Sequence, residues 1–309
     1  MEKVKVIILG TGKATKKFIE CNTNNKWIDI IGVVLDTTVP EEGRHLFVND
    51  LKSSISTPVN IMDFSEESFR KCDVIFLPEY RKIIPEKYTS KFIMINCHGG
   101  ILPKWRGSAA NAWAIMNGEK EIGFSIHRVS DELDGGEIYY VKHIPISEEE
   151  TYSDVHDNMI KAIASDVPKV IYDIIRNGRK GENQKGAHFA YCTKFSPEMG
   201  ELRNFCYKSE YYVNLHRCMA RPLGTGLFIY HKGKKIMVDM VEHGRKYNSV
   251  NYIGTPGKIV NMHDDQIWIK TKDNTIIVSK MSVDGEKINI EEYFSNGMEL
   301  GIQRVRGEG

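Results

Sequence analysis

Ile93-Met94-Ile95-Asn96-Cys97-His98-Gly99-Gly100-Ile101-Leu102-Pro103-Lys104-Trp105-Arg106-Gly107 is the stretch around which the rest of the chain can be organised. An apolar run that ends in Asn96 and His98 reads as a buried strand delivering two polar groups to the carboxyl edge of a sheet, where open α/β sheets bind ligands. Alternation along an extended chain places both side chains on the same side. Gly99 and Gly100 are expected to let the backbone pass close to a bound molecule, and Pro103 to stiffen the exit. Taken alone, Asn96 and His98 fit a turn cap and a satisfied interior histidine equally well.

Outward from this stretch, the first two thirds of the chain alternate short β-branched apolar runs with longer segments of helical period. This pattern gives a mostly parallel sheet with covering helices. Strands are predicted near 4–9, 28–35, 74–77, 92–96, 123–129 and 138–143. Ser108 is expected to cap a helix over AANAWAIMNG, with Asn117-Gly118 as its stop. A longer helix is expected from Ser153 to Asn177-Gly178, followed by the linker-like RKGENQKG. Beyond Leu202 the pattern changes to short strands at 227–230, 235–241, 257–261, 266–270 and 275–283, separated by turns such as HKGKK, TPGK and DGEK. That spacing suggests a small β-barrel. The predicted division is therefore a first domain over 1–190, a linker over 191–205 and a second domain over 206–309.

With 309 residues, two domains are the natural expectation. Lysine plus arginine number 42 against 41 aspartate plus glutamate, so the whole chain carries no large basic field of the kind that draws in polyanions. The six cysteines are scattered without a C-x-x-C pair and read as reduced thiols. No stretch approaches ~20 uninterrupted apolar residues, and no apolar leader with a cleavage site opens the chain. A cytoplasmic protein with no membrane partner is expected, and no His/Cys cluster has zinc spacing.

Ser130-Asp131-Glu132-Leu133-Asp134-Gly135-Gly136-Glu137 joins two predicted strands, with Asp134 just before a glycine pair suited to a tight turn. Combined with N-x-H, L-P and R-G, an L-D-G-G whose aspartate lies 36 positions after His98 resembles the folate-dependent formyltransferase family. That family includes glycinamide ribonucleotide formyltransferase, methionyl-tRNA formyltransferase and the sugar N-formyltransferases. The resemblance implies a Rossmann-like α/β formyltransferase domain followed by a small OB-like β domain, with 10-formyltetrahydrofolate as co-substrate and no metal. It assigns His98 as base toward the attacking amine, Asn96 as donor to the developing oxyanion and Asp134 as the orienting acid. It also places the pterin between the loop at 77–84 and that at 131–134, which nominates Glu79, Tyr80, Arg81, Ile84, Asp131 and Leu133.

The opening Gly10-Thr11-Gly12-Lys13-Ala14-Thr15 invites a dinucleotide-binding reading, but Thr15 stands where that fingerprint needs glycine or alanine. Under the resemblance this turn faces the amine substrate, so Thr11, Gly12 and Lys13 are expected substrate contacts, with backbone amides free to meet a phosphate. Lys194, Arg217 and Arg221 are the expected pyrophosphate contacts.

Similarity past 190, at Ala190-Tyr191-Cys192-Thr193-Lys194 and over 214–222, argues for the longer family members. Between these, the tRNA enzymes carry a basic insertion after the second strand. Here residues 36–45 read DTTVPEEGRH, short and acidic at the centre, whereas an RNA partner calls for positive charge. A nucleotide-linked amino sugar is therefore the expected acceptor and small-molecule partner, with no nucleic acid bound and a homodimer as a possible assembly. Methionyl-tRNA is the alternative acceptor, and a non-catalytic folate or nucleotide sensor is the alternative of another class. The chain departs from the family at Gly100, where serine is usual, and at the second glycine of L-D-G-G.

Overall fold

The structure is a computed structural model that describes residues 1–301 apart from Thr57, Asn248 and Ser249. The elements run β1 (Val4–Gly10), α1 (Lys13–Asn22), β2 (Ile28–Val34), α2 (Glu41–Ser54), α3 (Glu66–Phe69), β3 (Val74–Glu79), α4 (Glu86–Thr89), β4 (Met94–His98), β5 (Trp105–Gly107), α5 (Ala110–Met116), β6 (Glu121–Arg128), β7 (Ile138–Pro145), α6 (Tyr152–Arg176) and β8 (Ala190–Cys192). After these come α7 (Ser209–Met219), β9 (Leu227–His231), β10 (Lys234–His243), β11 (Ile259–His263), β12 (Gln266–Lys270), β13 (Thr275–Val283), β14 (Glu286–Lys287) and α8 (Ile290–Tyr293). Two compact units emerge: one comprises Met1–Asn111, Glu121–Ile146 and Val155–Thr193, the other Ala112–Lys120, Ser147–Asp154 and the chain from Lys194 onward.

The first unit is built on a six-stranded sheet ordered β2-β1-β3-β4-β6-β7. Its first four strands are parallel, and β6 and β7 continue it antiparallel. Val6, Ile7, Ile8 and Leu9 of β1 are all fully buried, as a central parallel strand covered on both faces requires. One part of the core gathers Ile7, Leu9, Phe69, Ile75, Leu77 and Met94, fixing β3 and β4 beside β1.

Two local expectations change. Strands β3 and β4 each run two residues farther than predicted, to Glu79 and His98, so both side chains sit at the sheet's carboxyl edge. The helix after the loop leaving β4 starts at Ala110, not directly after Ser108, because Ala109 adopts a left-handed φ of 56° and the Ser108 amide donates to the Cys192 carbonyl at 3.0 Å. Strand β5 pairs with β8 here, a two-stranded ladder that short-range periodicity could not reveal.

The second unit carries the antiparallel ladder β11-β12-β13-β10-β9, with β14 paired to β13. Its five main strands lie within a few residues of the predicted ones. No ladder joins β9 to β11 among the described residues. Among the described residues no helix is long and apolar enough to cross a membrane.

Candidate active site

Strand β4 supplies Asn96 and His98, and β6 runs antiparallel beside it with His127 opposite Asn96 and Ser125 opposite His98. Ser125 is fully buried, accepts the Leu102 amide at 2.9 Å and donates to the Gly100 carbonyl at 2.7 Å. It thereby fixes the loop leaving β4. A Cβ on Gly100 would fall 2.7 Å from His98 Nε2 and 2.6 Å from Ala110 Cβ, so glycine there belongs to the packing of the imidazole, while a Cβ on Gly99 would make only an ordinary contact with Asn111 Nδ2 at 3.9 Å.

The loop from β6 to β7 brings in Asp134. Its own φ is 51°, a left-handed value that aspartate tolerates better than most residues, and the two glycines after it are not left-handed. Gly136 is required for a different reason: a Cβ would sit 1.9 Å from the Arg128 carbonyl oxygen.

Asp134 lies between two imidazoles. Oδ2 is 3.4 Å from His98 Nδ1 and accepts the Gly107 amide at 2.8 Å, and Oδ1 is 3.4 Å from His127 Nε2. His98, His127 and Asp134 are all buried. Burial pushes the Asp134 carboxyl up, but the His127 hydrogen bond, both imidazoles and the Gly107 amide outweigh it and bring the pKa down to about 2. Burial lowers the pKa of His98, with the Asp134 charge and the Trp105 carbonyl opposing.

Proton positions follow from the acceptors. His98 Nε2 lies 2.7 Å from the Trp105 carbonyl oxygen, which can only accept, so Nε2 carries the hydrogen and Nδ1 is the basic atom facing Asp134. His127 Nδ1 lies 2.9 Å from the Arg128 carbonyl oxygen, so Nδ1 carries its hydrogen. In the neutral ring His127 Nε2 then accepts from Asn96 Nδ2 at 3.0 Å. The same nitrogen cannot also donate to Asp134 unless the ring is charged. The Asn96 contact, shorter than the 3.4 Å to Asp134, is therefore the one a neutral His127 makes.

Arg106 and Gln184 secure the Asp134 loop from behind. The buried Arg106 guanidinium donates to Gln184 Oε1 from Nε at 3.2 Å and from Nη2 at 2.9 Å, pairs with Glu132 and stacks on Phe189 at 4.0 Å. Gln184 in turn donates to the carbonyls of Asp134 at 2.9 Å and Gly136 at 2.6 Å.

A cavity of about 200 Å³ opens over this group, walled by Leu77, Tyr80, Ile84, Val129 and Leu133 and reaching Asn96, His127 and Asp134. Arg81 and Asp131 also line it. Ile83 at 88% and Leu133 at 57% exposure leave apolar surface at its rim, which suits a flat ring system. Glu79, expected beside these residues, does not line the cavity: its carboxylate turns the other way and accepts the amides of Ala14 and Thr15 at the start of α1.

In the opening turn the expected substrate contacts already have partners within the chain. Thr11 Oγ1 accepts the Asp36 amide at 2.8 Å, Gly12 packs against Glu79, and exposed Lys13 lies 4.0 Å from Asp157. Asp36 accepts the amides of Thr38 and Arg81, one on each carboxylate oxygen, so it ties loops together. In the second unit Lys194 is exposed. Arg217 is buried and donates to the carbonyls of Glu150 and Ser147 and to Asn214, so the pyrophosphate contact expected of it meets a guanidinium already engaged. Arg221 pairs with Asp239.

His127, Ser125, Arg106 and Gln184 were not singled out as site residues from sequence. A signal existed for two of them: Ser125 and His127 stand two apart in the strand segment GFSIHRV, with apolar Phe124 and Ile126 alternating between them, which places both on the face that carries the site.

Residues 2–171 match the family model described as Formyl transferase, and 194–298 match that described as Formyl transferase, C-terminal domain. Methionyl-tRNA formyltransferase of Finegoldia magna is 30% identical over 264 residues, 82% of this chain and 82% of its own length. Among solved structures, WlaRD, a sugar 3N-formyl transferase crystallised in the presence of dTDP and 5-N-formyl-THF, has a TM-score of 0.66 at 20% identity, covering 93% of this chain and all of its own. The N-formyltransferase of Helicobacter canadensis, in complex with folinic acid and dTDP-3-aminofucose, has a TM-score of 0.64 at 17% identity, covering 90% of this chain and all of its own. At these identities the two structures speak to the fold.

Proposed function

The chain belongs to the formyl transferase family, and we propose that it moves the formyl group of 10-formyltetrahydrofolate to the primary amine of a nucleotide-linked amino sugar. The observation that carries the reaction is the pair His98 Nδ1 and Asp134 Oδ2, two acceptors 3.4 Å apart with no hydrogen of their own between them. A proton delivered there is held by both.

The amine nitrogen attacks the formyl carbon, a C–N bond forms, and the carbonyl electrons move onto oxygen. Asn96 keeps one N–H on His127 and presents the other to that oxyanion. His98 Nδ1 takes the proton from the nitrogen, and the anionic Asp134 steadies the imidazolium. When the oxyanion collapses, the bond from carbon to the folate N10 breaks, and N10 leaves with the proton that His98 held. The slot between Tyr80, Ile84 and Leu133 is the proposed seat of the pterin.

The acceptor reading rests on the loop after β2. Only six residues, 35–40, separate β2 from α2, and the helix opens on Glu41 and Glu42. An acceptor stem with dense phosphate gains nothing from that turn. The similarity to the Finegoldia magna enzyme favours a second reading, methionyl-tRNA as acceptor. Mass spectrometry of purified protein with 10-formyltetrahydrofolate, a panel of UDP-, dTDP- and GDP-linked amino sugars and, in parallel, methionyl-tRNA distinguishes them. A formyl mass gained by a nucleotide sugar supports the proposal, and formylation of the tRNA alone replaces it with the second reading.

A further inference from the structure

The amino end of α1 has the makings of an anion site. It follows a glycine-containing turn, its first amides have no partners within the helix, and the helix dipole places partial positive charge there. In this chain an internal carboxylate occupies it. Glu79 Oε2 accepts the Ala14 amide at 2.8 Å and the Thr15 amide at 3.3 Å. The sheet itself delivers this side chain, because Glu79 is the last residue of β3 and pairs in register with Gly10 at the end of β1. A Cβ on Gly12 would come within 2.3 Å of Glu79 Oε2, and one on Gly10 within 2.8 Å of the Glu79 carbonyl oxygen. The Gly-Thr-Gly turn is thus shaped around the Glu79 residue.

We propose that the Glu79 carboxylate is a built-in anion that closes the amino end of α1 to phosphate, so the acceptor reaches the site with no phosphate group on this turn. A phosphate and the carboxylate compete for the same two amides, and two anions side by side repel. The cost of holding the carboxylate is visible in its pKa, which burial raises despite the two amides and the neighbouring Arg81. An acceptor whose phosphate would have to lie at this turn is excluded, so the diphosphate of a nucleotide sugar would have to lie elsewhere. The statement about the acceptor rests on the formyl-transfer reading above, while the closure of the helix terminus does not.

The test uses inorganic phosphate against chloride at matched ionic strength, with no folate or amine present. Wild type, Glu79→Gln and Glu79→Ala are followed through the backbone amide resonances of Ala14 and Thr15 and through Tm. Wild type is expected to show no saturable phosphate shift at either amide. Glu79→Ala is expected to gain one at both, with phosphate bound roughly tenfold or more tightly than by wild type, and a phosphate-dependent rise in Tm. Glu79→Gln keeps the shape without the charge, and its response is expected to lie between the two. Saturable shifts in wild type, or folded variants that show none, overturn the proposal. Should Glu79→Ala fail to fold, wild type and Glu79→Gln decide by the same criteria. Because no transfer is measured, failure to formylate an amino sugar leaves the result standing, and failure here leaves the transfer reading standing.

Discussion

Asp134 joins an unusual backbone conformation to the charge on which the proposed reaction depends. Replacement by asparagine tests the charge alone, since asparagine also tolerates φ near 51°. Asp134→Asn is expected to keep the fold and lower kcat by about 10²–10⁴, the usual range for losing support of a general base. Far-ultraviolet circular dichroism beside steady-state kinetics checks both halves. Asn96→Ala removes the proposed oxyanion donor and is expected to lower kcat by about 10²–10³. In the proposed scheme His127 acts through Asn96, because its Nε2, when unprotonated, holds the amide in place. His127→Phe is expected to lower kcat more than it changes the KM for folate, and His127→Gln, whose amide oxygen can accept from Asn96, to recover part of the loss. A His127→Gln enzyme no better than His127→Phe would count against the positioning role. The pH dependence follows from His98: its pKa lies below the usual imidazole value because it is buried, so the basic form persists on the acid side of 6.5. The log of kcat/KM against pH should therefore stay flat below 6.5 before it falls.

At the scale of elements, the loop from β6 to β7 is held by residues distant in sequence. Gln184 fastens it through two carbonyls and is itself held by Arg106. Removing the guanidinium in Arg106→Met leaves Gln184 Oε1 buried without a donor, a loss of about 1–3 kcal/mol. Urea denaturation should register that loss, and kcat should fall with it because the Asp134 carbonyl loses its support. A variant as stable and as active as wild type would show that the network is dispensable. This loop also marks where sequence legibility stops. N-x-H, R-G and L-D-G-G were readable because strand alternation and glycine turns are local, and they brought Asn96, His98 and Asp134 to one place. Gln184 lay in RKGENQKG, whose polar, glycine-containing composition reads as a linker, yet the side chain is 5% exposed. Its partners lie 48 to 78 residues away, and composition carries no record of them. The direction in which Glu79 turns is hidden for the same reason. Its place at the end of β3 could be read from the apolar run, but its turn toward α1 depends on the register between β1 and β3.

For the whole molecule, burial of titratable groups sets the response to acid. His98 and His156 in the first unit and His216 in the second all have pKa values lowered chiefly by burial. A histidine whose folded pKa lies below its unfolded value of about 6.5 binds fewer protons folded than unfolded between the two. Stability therefore rises with pH through that window, is complete above about 6.5, and is lost as the pH falls toward the folded values. Asp134 acts in a separate window. Its pKa falls from the ordinary 3.8 to about 2, so it contributes on the order of 2 kcal/mol that is present above pH ~4 and lost on going down to ~2. Tm is thus expected to decline from pH 7.5 to 5.5, by ~2–4 °C for each kcal/mol lost in a protein of this general size, and to decline again below pH ~4. Scanning calorimetry across that range tests the profile, and a Tm unchanged between pH 7.5 and 5.5 would refute the histidine part of it. His98→Asn should flatten the upper step in part, and Asp134→Asn the lower one. The two steps tie stability to the proposed chemistry, because the burial that lowers the pKa of His98, and so suits it to accept the amine's proton in that scheme, also makes the fold sensitive to acid.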